Sequence, residues 1–174
     1  MKSKIPWLVS ATALIGSIVL TAIYWPQLPE KMASHFNAGG QPDGWMNKGS
    51  FVGLMVLIQF GLAAMMFGIG RLTRVLPPSM INVPNREYWL ADERREQTLQ
   101  DSESMLAWIA AGTSVFLMVI FWLTFDANIG EDQQLNSTIS WISLAVYLLG
   151  LFGFCFVKLA KYYRIPAESQ NRQL

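Results

Sequence analysis

Four runs along the chain contain no Asp, Glu, Lys or Arg: Ile5 to Tyr24, Phe51 to Gly70, Met105 to Phe125 and Thr138 to Val157. Each reaches the ~20 apolar residues that a helix needs to cross a bilayer. None carries the charged outer face that a core helix of a soluble protein turns to water. The pattern therefore predicts an all-α chain, an integral membrane four-helix bundle, with spans at about 5–25, 51–71, 105–125 and 138–158. The intervening polar stretches become a loop over 26–50 and a segment over 71–104, and residues 1–174 read as one membrane domain without internal repeats.

The third helix is expected to begin ahead of its span. Asp92 suits an N-cap, and neither Gly nor Pro intervenes between it and Gly112. A helix from about Glu93 to Thr124 outruns the ~30 Å apolar slab at ~1.5 Å per residue. Its first three turns or so, polar on nearly every face, then extend the third helix beyond the membrane, as a solvated stalk or as a docking surface.

Composition sharpens this picture in two places. Charged residues make up 14% of the chain, well below the ~25% of soluble domains. Cys155 is the single cysteine, so no intramolecular disulfide can form. The first run is long for a signal peptide and has no clear small-x-small cleavage site after it, which favours a retained helix. A net charge of +1, without a basic patch, gives no sign of nucleic-acid binding.

Charge placement sets the expected orientation. Of thirteen Lys and Arg, only Lys31 and Lys48 lie in the 26–50 loop, and none lies between the third and fourth spans. The other eleven flank the opposite ends of the spans. The positive-inside rule places both termini and the 71–104 segment in the cytoplasm. The 26–50 loop is then extracytoplasmic. Trp and Tyr residues near the span ends suit interfacial positions.

Inside the spans no ionisable group lies at depth, which argues against a proton- or ion-coupled transporter. Small residues recur at spacing four, as Thr12 and Gly16, Ala64 and Gly68, and Ala107 and Ala111, with Gly150 and Gly153 in the fourth span. These suit close helix packing within the bundle or, less simply, a dimer face.

The 26–50 loop is far longer than the usual helix connection and holds enough apolar residues to be ordered. Pro29 suits a first helical position, so Pro29 to Ser34 is expected as a short helix with Leu28, Met32 and His35 on one face. Asn37 to Gly40 and Pro42 to Gly44 read as two tight turns. His35, Asn37 and Asp43 come close together in this reading. One His with one or two carboxylates is a weak metal signal, and no nucleophile is marked beside a His35–Asp43 pair. The plainest roles are hydrogen bonding of the turns and capping of the loop; ligand binding is the alternative, and catalysis a distant third.

Residues 28–51, "LPEKMASHFNAGGQPDGWMNKGSF", resemble the signature of a bacterial membrane family known as domain of unknown function 1648. Leu28, Pro29, His35, Phe36, Asn37, Gly40, Pro42, Asp43, Gly44 and Lys48 carry the pattern. Residues 83–98, "VPNREYWLADERREQT", look like a second stretch found in longer-looped members. The same domain opens the SdpI-type immunity proteins, which protect cells from a secreted membrane-active peptide toxin and can signal its presence inside. The resemblance implies a non-enzymatic membrane sensor or immunity-like protein.

In that reading His35, Phe36, Asn37, Gly40, Asp43, Trp45 and Lys48 meet a peptide, lipid or protein ligand outside. Arg86, Tyr88, Trp89, Arg94 and Arg95 meet a cytoplasmic or membrane protein partner inside. No cofactor, metal or catalytic residue is expected, and the bilayer itself is a partner. Two other roles are open: a small accessory subunit of a larger membrane complex, and an envelope or lipid enzyme using His35 and Asp43.

Overall fold

The computed structural model describes residues 4–166; Lys2 and Arg172, part of the charge count above, lie outside the described residues. Helix α1 (Ile5–Tyr24) leads to a β-hairpin of β1 (Lys31–Phe36) and β2 (Pro42–Asn47), and α2 (Lys48–Leu72) follows at once. A 3-10 turn at Pro78–Met80 and the short α3 (Arg86–Trp89) precede the long α4 (Asp92–Ile129). Helix α5 (Ser137–Ala160) ends in a 3-10 turn, Lys161–Tyr163. Among the described residues four helices are long and apolar enough to cross a membrane: Ile5–Tyr24, Lys48–Leu72, Asp92–Ile129 and Ser137–Tyr163.

Helix α4 is the hub. Both α1 and α2 pack along it but touch each other little, and α5 also packs on α4 while burying none of its own residues. Small residues permit the close contacts. Ala107 and Ala111 are buried in α4, and a Cβ added at Gly16 would come 2.6 Å from the Met118 sulfur. Gly68, Gly150 and Gly153 instead face open space, so the spacing-four pattern marks internal packing at only some of its positions. At mid-helix, the buried Gln59 side chain donates to the Ser114 carbonyl at 3.0 Å. The Ser114 hydroxyl donates to the Ala110 carbonyl at 2.8 Å. Within a lipid slab such groups have no water to turn to, so they pair with protein.

Two apolar clusters sit at opposite ends of the bundle. Leu28, Met32, Phe51, Phe121 and Phe125 form the one beneath the hairpin. Ile81, Leu90 and Leu99 form the other, where the 71–90 segment folds back on the start of α4.

Several expectations are corrected. Residues 31–36 form a strand and not a helix, and Met32 and His35 do not share a face: Met32 is fully buried, while the His35 side chain is 75% exposed. Pro42, Asp43 and Gly44 belong to β2, so only the Asn37–Gly40 turn is present. Asp92 is the first helical residue and Ala91 the cap, without a side-chain cap bond. The helix runs on past Thr124 to Ile129. Its first turns are no free stalk: Thr98 and Leu99 are buried, and the Thr98 hydroxyl donates to the Trp89 carbonyl at 2.8 Å.

Candidate functional site

The hairpin is an antiparallel pair with Lys31 opposite Asn47, Met32 opposite Met46 and Ala33 opposite Trp45. Beyond that point two irregularities offset each other. From Ala33 to His35 strand β1 advances two residues while β2 advances one, from Trp45 to Gly44. From His35 to Phe36 the imbalance reverses, and Asp43 becomes the extra residue. Bulges of this kind re-aim side chains. Here they bring Asp43 beside His35, whose Nδ1 pairs with the Asp43 carboxylate. Gly44 makes room for this: a Cβ there would lie 3.1 Å from the His35 Cβ.

The base of the hairpin is riveted to the helices. The buried Asn128 of α4 accepts from the Ala33 amide at 2.7 Å and donates to the Ala33 carbonyl at 3.0 Å. Its amide also donates to the Thr124 carbonyl at 2.9 Å. At the tip, Leu135 N donates to the Gly40 carbonyl at 2.9 Å, and the Trp141 indole donates to the Ala38 carbonyl at 3.1 Å. Asn37 folds the turn, its side-chain oxygen accepting from Gly39 N at 2.9 Å and Gln41 N at 3.1 Å. Sequence reasoning gave Asn128 no role, and its only signal was a polar residue late in an apolar helix.

Lys48 also proves to be framework. Its side chain is only 11% exposed. The ammonium donates to the Leu28 carbonyl at 3.1 Å and the Trp25 carbonyl at 3.5 Å. It also pairs with Glu30 at 3.2 Å and lies 4.9 Å from the Trp25 ring centroid. A cation thus meets the carbonyls left open just past the C-terminus of α1.

Of the seven loop residues singled out, Asn37, Gly40 and Lys48 hold the hairpin together. Phe36 is half-buried and lines an apolar hollow of about 350 Å³ between the tip, α4 and α5. His35, Asp43 and Trp45 remain on the open face. Lys31 joins them, its ammonium 5.6 Å from the Trp45 ring centroid. The Trp45 indole reaches Gln133 at 3.4 Å. The result is a small face carrying an aromatic, a lysine and a His–Asp pair. Among the described residues no three His, Cys, Asp or Glu side chains converge as metal ligands.

At the far end of α4 the second residue group is largely engaged internally. The Trp89 indole donates to the Tyr162 carbonyl at 3.1 Å. Arg94 donates to the Tyr88 carbonyl at 2.8 Å, with its guanidinium 4.1 Å from the Tyr88 ring centroid. Arg95 donates to the Leu76 carbonyl at 3.1 Å. Arg86 donates to the Ser79 carbonyl at 3.2 Å and, with Tyr88, lines an open groove of about 530 Å³. Arg74, not singled out from the sequence, ties α2 to α4 through Glu103 and Glu96. Those hydrogen bonds raise its pKa above the ordinary guanidinium value. A raised pKa on a cation adds stability at every pH below the unfolded value, so the guanidinium keeps its charge throughout the usual working range.

Residues 12–60, from within α1 through the hairpin to the middle of α2, match the family described as "Domain of unknown function (DUF1648)". No curated protein matches the chain, and no solved structure does. The matched segment contains the whole hairpin, with its His35–Asp43 pair, Gly40 turn and Lys48 anchor. The residues that clasp it, Asn128, Leu135 and Trp141, lie outside the match.

Proposed function

We propose that this protein is a non-enzymatic membrane sensor or immunity-like protein, taking a peptide or lipid ligand on the hairpin face that carries Lys31, His35, Asp43 and Trp45. The carrying observation is the double clasp on α4. One end of this helix holds the hairpin through Asn128, and the other is held by Arg74 and the 71–90 segment. A ligand that shifts the hairpin therefore has one continuous element, about 57 Å long at ~1.5 Å per residue, through which to bias the far end. Sensing would require two arrangements of that element with different affinity for the ligand.

The charge asymmetry, eleven Lys and Arg against two, supports a bacterial inner-membrane protein with its hairpin outside and its termini in the cytoplasm. His35 and Asp43 sit on an open face and not in a cleft, which favours contact with a ligand over catalysis.

The test is native mass spectrometry of the gently solubilised protein, comparing wild type with His35→Ala and Asp43→Ala. Because His35 is exposed, its replacement should leave folding intact. A molecule that stays with the wild type and is lost from both variants is the expected result. Identical spectra for all three would overturn the reading. A stoichiometric protein partner kept by all three would favour an accessory subunit, in which the unburied surface of α5 meets its neighbour.

A further inference from the structure

Where α5 reaches its C-terminal end, a cleft of about 310 Å³ opens between α4, the last turn of α5 and residues 82–84. Met105, Val157 and Leu159 give it an apolar side, and Asn82, Ser102 and Ser104 a polar one. Its charged groups are Asp101, Lys158 and Lys161. The Asp101 carboxylate is already held by Lys161. Lys158 joins no ion pair among the described residues and lies 5.7 Å from the Phe154 ring centroid. Tyr162 is 5% exposed, and its buried hydroxyl lies near Lys161 and Ser102 without a hydrogen bond of ordinary geometry to any described residue. The Lys161 ammonium rests 4.7 Å from the Tyr162 ring centroid.

We propose that this cleft binds the phosphate of an anionic membrane phospholipid. A buried hydroxyl without an acceptor is costly, and a phosphate oxygen beside it supplies one. The two lysines exceed the one carboxylate by a single positive charge, which a phosphodiester neutralises. Lysine stems are long and flexible, so Lys158 and Lys161, both lining the cleft, can reach a bound phosphate. The cleft lies at the end of a helix long and apolar enough to span, the level at which headgroups sit, and Met105, Val157 and Leu159 would meet the acyl chains. Basic pockets between spanning helices suit such headgroups.

A neighbouring cleft shows what the opposite balance looks like. About 290 Å³ in volume, it is lined by Arg71 but also by Asp101 and Glu103, two carboxylates against one guanidinium. That balance disfavours an anion, although both clefts lie at the same end of the bundle.

Tyr162→Phe removes the hydroxyl and keeps the ring that packs edge-on against Trp89 at 5.2 Å. Lys158→Gln removes a charge that pairs with no carboxylate among the described residues. Each variant is purified full length, checked for an unchanged helical spectrum, and exchanged into detergent containing equal phosphatidylglycerol and phosphatidylcholine. Native mass spectrometry of the wild type should show phosphatidylglycerol retained several-fold over phosphatidylcholine. Both variants should lose most of that preference, and Arg71→Gln should keep it. A wild type without preference would overturn the proposal. So would a preference that survives both substitutions, or one that Arg71→Gln removes equally, since general surface charge would then explain it.

Discussion

Gly40 sits at φ +86°, a region that residues with a Cβ rarely adopt. A Cβ added there would stand 2.1 Å from the Leu135 carbonyl oxygen, the closest such approach of any glycine in the described chain. Gly40→Ala therefore carries about 1–3 kcal/mol of backbone strain, and also pushes apart the strut in which Leu135 N meets the Gly40 carbonyl. Gly39→Ala is the matched control. Gly39 has no positive φ, and its added Cβ would lie 3.3 Å from the Asn37 side chain, which can yield slightly. Thermal unfolding in detergent should show a clear loss for Gly40→Ala and little change for Gly39→Ala. Equal melting temperatures for the two would mean that the tip is not held against α5 as described.

Elements differ in how openly the sequence declares them. The four long helices were legible because a charge-free run of this length has few fates other than a spanning helix. The observed α1 and α5 agree with the expected spans to within about two residues at each end. The hairpin was not legible. Pro42, Asp43, Gly44 and Asn47 are poor strand formers, and the two bulges break the alternation that signals a strand. What holds residues 31–36 extended is a partner 95 positions away, since Asn128 satisfies both backbone groups of the buried Ala33. No local pattern carries that information. The sequence brings His35 and Asp43 into one short loop but leaves open whether they touch, because their pairing depends on the bulge; the anchoring role of Lys48 depends on carbonyls 20 and 23 residues back. Asn128→Leu tests the clasp, because it leaves a buried N–H and C=O unpaired at roughly 1–3 kcal/mol each. Amide exchange at Ala33 should accelerate strongly while the helical content of α2 and α5 is kept. Unchanged protection at Ala33 would show that the hairpin stands without α4.

At the scale of the whole molecule, the ligand-from-outside reading rests on which end faces out, and the chain offers a direct way to decide it. The hairpin turn and α3 lie at opposite ends of the bundle, so one reporter at each gives opposite answers. Cys155 is the single native cysteine and lies within α5, so Cys155→Ser supplies a clean background. Ala38 is exposed at the turn, and only its carbonyl is engaged, which Ala38→Cys preserves. Glu87 is exposed in α3 and forms no ion pair among the described residues, so Glu87→Cys disturbs little. A membrane-impermeant maleimide applied to intact cells should label Ala38→Cys at once, and Glu87→Cys only after permeabilisation. The positive-inside rule demands this outcome, since nearly all the basic residues cluster with Glu87 and few with Ala38. The reverse pattern would put the hairpin in the cytoplasm. Its open face would then meet an intracellular partner, and the phospholipid cleft beside Tyr162 would move to the outer leaflet.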